Sequence, residues 1–187
     1  MNSLETRDGL PEALQVLLRE YPRDIWHSHR NFDGLIRFWL ERHLMFRELL
    51  ERLQGQTQGF IDDSATPERF AANTARLMGF FLNQLDGHHK IEDHHYFPKL
   101  VGLEGRLSTG FDLLDSDHHA LDGALHALAE DTNTLLGHLQ AGEVGAGRDA
   151  AGRLEARLDR FSGFLDRHLI DEEDLVVPVL LHHAPRL

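Results

Sequence analysis

From Ile25 onward the apolar positions run Ile25, His29, Phe32, Ile36, Trp39, His43, Phe46, Leu50 and Leu53, stepping alternately by four and three. That period places one continuous stripe on one face of a helix, the pattern of a bundle element. The stripe predicts a first helix that stops near Gly55, followed by the polar connection GQTQGFIDDSATP. Thr66-Pro67-Glu68 then reads as an N-cap, a first-turn proline and an acid at the positive helix end. The second helix carries Thr74, Leu77, Phe81, Leu85, His88 and Glu92 inward, and should end or kink just before Pro98, with a break at VGLEG. The third stripe is Leu107, Phe111, Leu114, His118, Leu121, Leu125, Leu128, Thr132, Leu135 and Leu139. After the glycine-rich AGEVGAG comes the fourth: Leu154, Leu158, Phe161, Leu165, His168, Glu172 and Leu175, ending near Pro178.

Four long stripes with short connections predict an all-α fold, an antiparallel up-down-up-down four-helix bundle. Residues 1–23 contain only the short periodic piece LPEALQVLLREY and are expected to form a short helix or arm. The bundle is expected over 24–180 and a tail over 181–187.

The stripes carry a repeat. HHKIEDHHYFPKL (88–100) returns as HLIDEEDLVVPVL (168–180): His, three residues, Glu, a second acid, and Pro ten residues after the His. HRNFDG (29–34) likewise returns as HHALDG (118–123). Residues four apart share a helix face, so His88 with Glu92 and His168 with Glu172 each present a nitrogen beside a carboxylate. One such pair could be a solvated polar contact. Two of them inside apolar stripes form a metal-ligand arrangement.

Spacing also places them together. Residues equidistant from a turn lie at one depth in antiparallel neighbours. The midpoint of His29 and His88 falls between 58 and 59, that of His88 and His118 at 103, and that of His118 and His168 at 143, each inside an expected break. The expected ligands are therefore His29, His88, Glu92, His118, His168 and Glu172, with Asp33, Asp122 and Glu173 as outer partners that orient the rings. Four imidazoles and two carboxylates at a buried point require cations, because buried carboxylates repel and desolvation is costly. If each glutamate bridges two metals, open positions remain, which favours iron, then manganese, over a closed zinc site.

His43 lies fourteen residues from His29, about 21 Å along a helix. It is expected to bond to Thr74 or Thr132 in a separate polar layer. His27, His89, His94, His95, His119, His126, His138, His182 and His183 are expected on the surface or flanks, with His89 and His119 a small helix rotation from facing inward.

Composition narrows the classes further. The absence of cysteine excludes disulfides, thiolate metal sites and cysteine catalysis. A net charge of −12 opposes nucleic acid and anionic membranes as partners. No apolar run reaches the roughly 18 residues of a membrane span, and the acidic N-terminus does not resemble a signal peptide, so a cytoplasmic location is expected.

The set His29, His88 with Glu92, His118, and His168 with Glu172 resembles, in chain order, the hemerythrin-like (HHE cation-binding) family over roughly 25–180. The resemblance implies a non-haem centre of two iron ions in a four-helix bundle, with dioxygen, nitric oxide or peroxide as the small ligand bound, reduced or sensed. An iron-responsive regulatory or storage module without catalysis is the alternative. Oxygen-carrying hemerythrins have His-x3-His on the third helix and His-x4-Asp on the fourth, where this chain has His118-x3-Asp122 and His168-x4-Glu173. It is more similar to the branch with two His-x3-Glu motifs. That branch includes di-iron proteins linked to iron–sulfur repair, whose N-terminal cysteine-bearing segment has no counterpart here.

Overall fold

The computed structural model describes residues 3–185, and among them there is helix and no strand. A three-residue turn of 3₁₀ helix, Glu12–Leu14, leads into α1 (Val16–Glu20), and a six-residue 3₁₀ stretch spans Arg23–Ser28. The long elements are α2 (Gly34–Ile61), α3 (Pro67–Ile91), α5 (Ser108–Gln140) and α6 (Val144–His183). A short helix, α4 (Phe97–Leu103), follows α3 through a single π-helical stretch, Glu92–Tyr96.

The first helix begins nine residues later than its stripe predicts. Asp33 is the reason: its carboxylate accepts the N–H groups of Leu35 (3.0 Å) and Ile36 (3.1 Å), an N-cap that fixes the start of α2. His29, with ψ of 138°, lies in extended backbone before that cap. The far end also shifts, since Gly55 is inside α2 and the chain leaves the helix only after Ile61. Asp63 turns it there with a φ of 59°, a left-handed conformation that Asp tolerates better than most residues. The start of α3 is as expected, with the Thr66 hydroxyl accepting from the Arg69 N–H at 3.4 Å.

Pro98 does not end the helix. The backbone takes up the lost hydrogen bond by widening into the π turn, in which the Phe97 N–H reaches back to the Glu92 carbonyl. Nor does Pro178 end α6, which continues to His183. At the other end of α5, Gly142 with φ of 77° lets Glu143 N–H return to the His138 carbonyl, a glycine helix stop.

The chain divides into two compact units. One comprises Met45–Gly87 and Leu121–Gly163 and is filled by side chains of the four stripes, among them Phe46, Phe81, Leu128 and Phe161. Phe60 stacks on Phe70 at 4.3 Å near the α2–α3 connection.

The other unit takes the chain up to Leu44, His88–Ala120 and the chain from Phe164. Here α6 reads DEEDLVVPVLL, with apolar residues on every face, and a helix of that kind must be covered all round. The N-terminal segment does part of this covering. Leu10, Leu14, Leu17 and Trp26 join Leu175, Val176, Val179 and Leu180 in one buried cluster with Trp39 and Phe97. The N-terminal helix thus belongs to the core of the unit that holds the repeated His-x3-Glu spacing described above.

Candidate metal centre

All the donors discussed below lie in that second unit. α2 supplies His43, the end of α3 supplies His88 and His89, and the π turn supplies Glu92. α5 contributes His118, and α6 contributes His168 and Glu172. Every one of these side chains is buried or nearly so.

They fall into two groups of converging donor atoms: His43, His88, Glu92 and Glu172, and His89, His118 and His168. Within the first, His43 Nε2 lies 3.2 Å from His88 Nε2; within the second, His118 Nε2 lies 3.1 Å from His168 Nε2. The carboxylates stand between the groups. Glu92 turns Oε1 toward His88 Nε2 (3.0 Å) and Oε2 toward His118 Nε2 (3.6 Å). Glu172 turns Oε1 toward His43 Nε2 (3.5 Å) and Oε2 toward His168 Nε2 (3.4 Å). Each glutamate therefore offers one oxygen to each group.

A metal is the natural partner for this set. Ligands at about 2.1 Å from an ion and at right angles to one another lie roughly 3 Å apart, the spacing of the imidazole nitrogens here. His89 Nε2, both oxygens of Glu92 and Oε2 of Glu172 are buried and accept or donate no hydrogen bond. Buried polar atoms are rarely left so unless something outside the chain completes them.

Charge makes the same point. Glu92 is pushed well above the ordinary carboxylate range, by burial first and then by Glu172 beside it. Burial opposes ionisation of Glu172 too, but His43, His168 and His88 hold it well below that range. Two buried carboxylates here share their charge with protons unless cations take the protons' place. Burial lowers His88 to about 3, whereas Asp117 and Glu172 overcome burial at His168 and hold it up at about 9.

The outward-facing ring nitrogens are also held. His43 Nδ1 meets Glu173 Oε1 at 3.0 Å, His118 Nδ1 meets Asp93 Oδ1 at 2.7 Å, and His168 Nδ1 meets Asp117 Oδ2 at 3.5 Å. The Trp39 indole N–H donates to Glu172 Oε1. Such contacts set the tautomer and orientation of a ligating imidazole.

The sequence profile of the hemerythrin HHE cation binding domain matches residues 34–180. The chain belongs to that family. No curated protein and no solved structure matches it. As a hemerythrin domain it carries clustered His and Glu donors suited to binding metal cations. None of its helices, among the described residues, is long and apolar enough to cross a membrane.

Of the ligands expected from sequence, the structure brings together His88, Glu92, His118, His168 and Glu172. His29 is elsewhere. It is half-buried at the end of the Arg23–Ser28 turn, where its Nδ1 accepts from the Asn31 N–H and its ring meets Tyr21 at 5.4 Å. His43 takes the place that spacing gave to His29. The spacing of His29 and His88 requires a turn near 58, but the chain turns at 62–66, and the midpoint of His43 and His88, between 65 and 66, falls there. Accordingly His43 meets no threonine. Thr74 accepts from Gln56, and Thr132 donates to the Leu128 carbonyl.

His89 also joins the centre, its ring stacked 4.1 Å from that of His118. Its pairing with His88 in sequence was the signal: neighbours on a helix point about 100° apart, so one can serve each group. His119 stays on the surface, against the Asp115 carbonyl. Among the outer acids, Glu173 supports His43, whereas Asp33 caps α2 and Asp122 lies on an exposed face beside His126. Asp93 and Asp117, each next to a donor in sequence, were the ones to look for.

Alanine substitution separates the two candidate histidines. His43→Ala is expected to lower bound metal to about one ion per chain or less, since one group loses half its nitrogens. His29→Ala is expected to leave metal content unchanged. Elemental analysis of the two purified variants beside the parent protein checks both, and the reverse pattern would reinstate His29.

Proposed function

We propose that this chain is a non-haem di-iron protein that binds, reduces or senses a small oxidant such as dioxygen, nitric oxide or peroxide. The observation that carries the reading is the way Glu92 and Glu172 each divide their oxygens between the two histidine groups. In this reading His43 and His88 would hold one ion and His89, His118 and His168 the other, with Glu92 and Glu172 each able to offer an oxygen to both. The family's up-down-up-down bundle is the scaffold we assign to α2, α3, α5 and α6, and the cytoplasm is the location we assign to the protein.

The donor set favours iron. It mixes imidazole and carboxylate without thiolate, and because His43 and His88 supply one nitrogen fewer than His89, His118 and His168, an ion in their group would keep more room for a small ligand. Bound iron would supply exchangeable coordination sites and electrons. The chain's own residues do the rest. Trp39 holds Glu172 in place, Glu173 keeps a proton on the outer nitrogen of His43, and buried Phe97, stacked 5.5 Å from the ring of His118, shields that donor from bulk water. A small uncharged ligand passes such a wall more readily than a charged one.

Metal analysis of protein purified without added metal, with optical spectra of the aerobic and reduced forms, tests the reading. About two irons per chain and an absorption band that changes on reduction are expected. Zinc alone, or no transition metal, would end it.

A further inference from the structure

Outside the donors themselves, the most unusual buried group is Arg7. Its side chain is only 4 % exposed and belongs to the N-terminal segment, far from the centre in sequence. Nε donates to Asp171 Oδ2 at 2.7 Å, while the two terminal nitrogens grip both oxygens of Asp117. Both acids are placed tellingly. Asp117 precedes His118, Asp171 precedes Glu172, and Asp117 Oδ2 faces His168 Nδ1 at 3.5 Å. The segment is fastened a second time from the opposite direction: Arg167 reaches Asp171 Oδ1 (2.6 Å) and the backbone carbonyl of Asp8 (2.9 Å).

Stability alone is a poor reason for this arrangement. A buried guanidinium between two buried carboxylates gains little over well-packed apolar side chains of the same volume, because desolvating the charges offsets their attraction. What it does supply is orientation. A carboxylate gripped at both oxygens by a planar fork cannot rotate, so the acceptor it offers to His168 is fixed in direction. The other two supported histidines rest on acids with more freedom: Asp93 is 21 % exposed, and Glu173 shares its second oxygen with Arg23, which is 44 % exposed.

We propose that Arg7 is a positioning residue for the three-histidine half of the centre, acting through Asp117 to fix the ring of His168, so that the N-terminal segment is a working part of the metal site. This rests on the di-metal reading above and adds to it an asymmetry. The half containing His89, His118 and His168 depends on Arg7 being seated; the half containing His43 and His88 is supported instead through Glu173 and Arg23.

Cobalt(II) titration of the metal-free protein, followed optically and by competition with a chelator, tests this. The parent protein is expected to take up two ions, and failure there counts against the di-metal reading rather than against Arg7. Given two ions, Arg7→Met is expected to weaken one binding step by roughly 10–100-fold and to change the other less than about threefold. Adding His89→Ala should abolish the effect of Arg7→Met, whereas adding His43→Ala should preserve it. Arg7→Lys, which keeps the charge but not the fork, should fall between parent and Arg7→Met. If circular dichroism shows Arg7→Met unfolded, Asp117→Asn, which keeps volume and one acceptor oxygen, must show the same one-sided loss. Equal weakening of both steps, or none, in the folded variants overturns the proposal.

Discussion

Replacing Glu172 with alanine is expected to cost both metal positions, lowering affinity at each by at least ~100-fold, a larger effect than loss of any single histidine. The reason is the placing of its two oxygens, 3.5 Å from His43 Nε2 and 3.4 Å from His168 Nε2, in different donor groups. Removing it also strands the Trp39 indole N–H and leaves His43 and His168 without the carboxylate that both face. Helix content should survive, because the position is one of many buried along α6 and alanine is a good helix former. Elemental analysis together with circular dichroism checks the expectation. Loss of one ion with the other retained at full affinity would show that Glu172 does not bridge.

The second large effect is on stability. A ligand present at about a thousand times its dissociation constant stabilises the fold by roughly 4 kcal/mol. For a chain of this length each kcal/mol is worth about 2–4 °C, so each ion bound at that ratio should raise the melting temperature by roughly 8–16 °C, reversed by a chelator. The effect should depend on pH in a definite direction. His168 in the metal-free fold is held up at about 9 by Asp117 and Glu172 against burial, above its ordinary 6.5. Its contribution to stability is full below 6.5 and is lost as pH rises through about 9.

Metal must displace that proton, so affinity rises with pH by up to about tenfold per unit for each proton expelled. Loaded protein has already given up the proton and escapes the loss. The gap in melting temperature between loaded and metal-free protein should therefore widen from pH 6.5 to 9. Calorimetry at both values, with and without metal, reads it directly; a gap that narrows would contradict the assignment of His168 as a donor.

The parts of this picture legible in the sequence are those set by local periodicity. The stripes from Ile36 to Leu53 and from Leu154 to Leu175 are buried almost without exception, since an apolar face of a long helix has nowhere else to go. His88, Glu92, His118, His168 and Glu172 were readable for the same reason, being polar residues lodged in those faces. What failed was the position of turns. Gly55 suggests a stop but lies within α2, where the helical neighbours outweigh the cost of a glycine. That displacement of the turn by seven residues moves the register along α2 by fourteen, about four helical turns, and exchanges His29 for His43.

Asp33, aligned with Asp122 through the HRNFDG repeat, acts as a helix cap, a role that the repeat disguised. At Pro98 the expected end or kink takes the form of a π stretch, whereas Pro178, expected near the end of the last helix, lies inside α6. Tertiary burial and a π turn carry the helices past them. Arg7 was illegible for a different reason: one basic residue in a polar N-terminus has no periodic signature, and its importance comes only from the two acids that fold around it.

Iron K-edge X-ray absorption of the protein loaded with iron reads the metal pair itself. A first shell of nitrogen and oxygen without sulfur is expected, with a second iron at about 3.5–4 Å from the first. A spectrum fitted by isolated ions, with no metal neighbour at that distance, would contradict it.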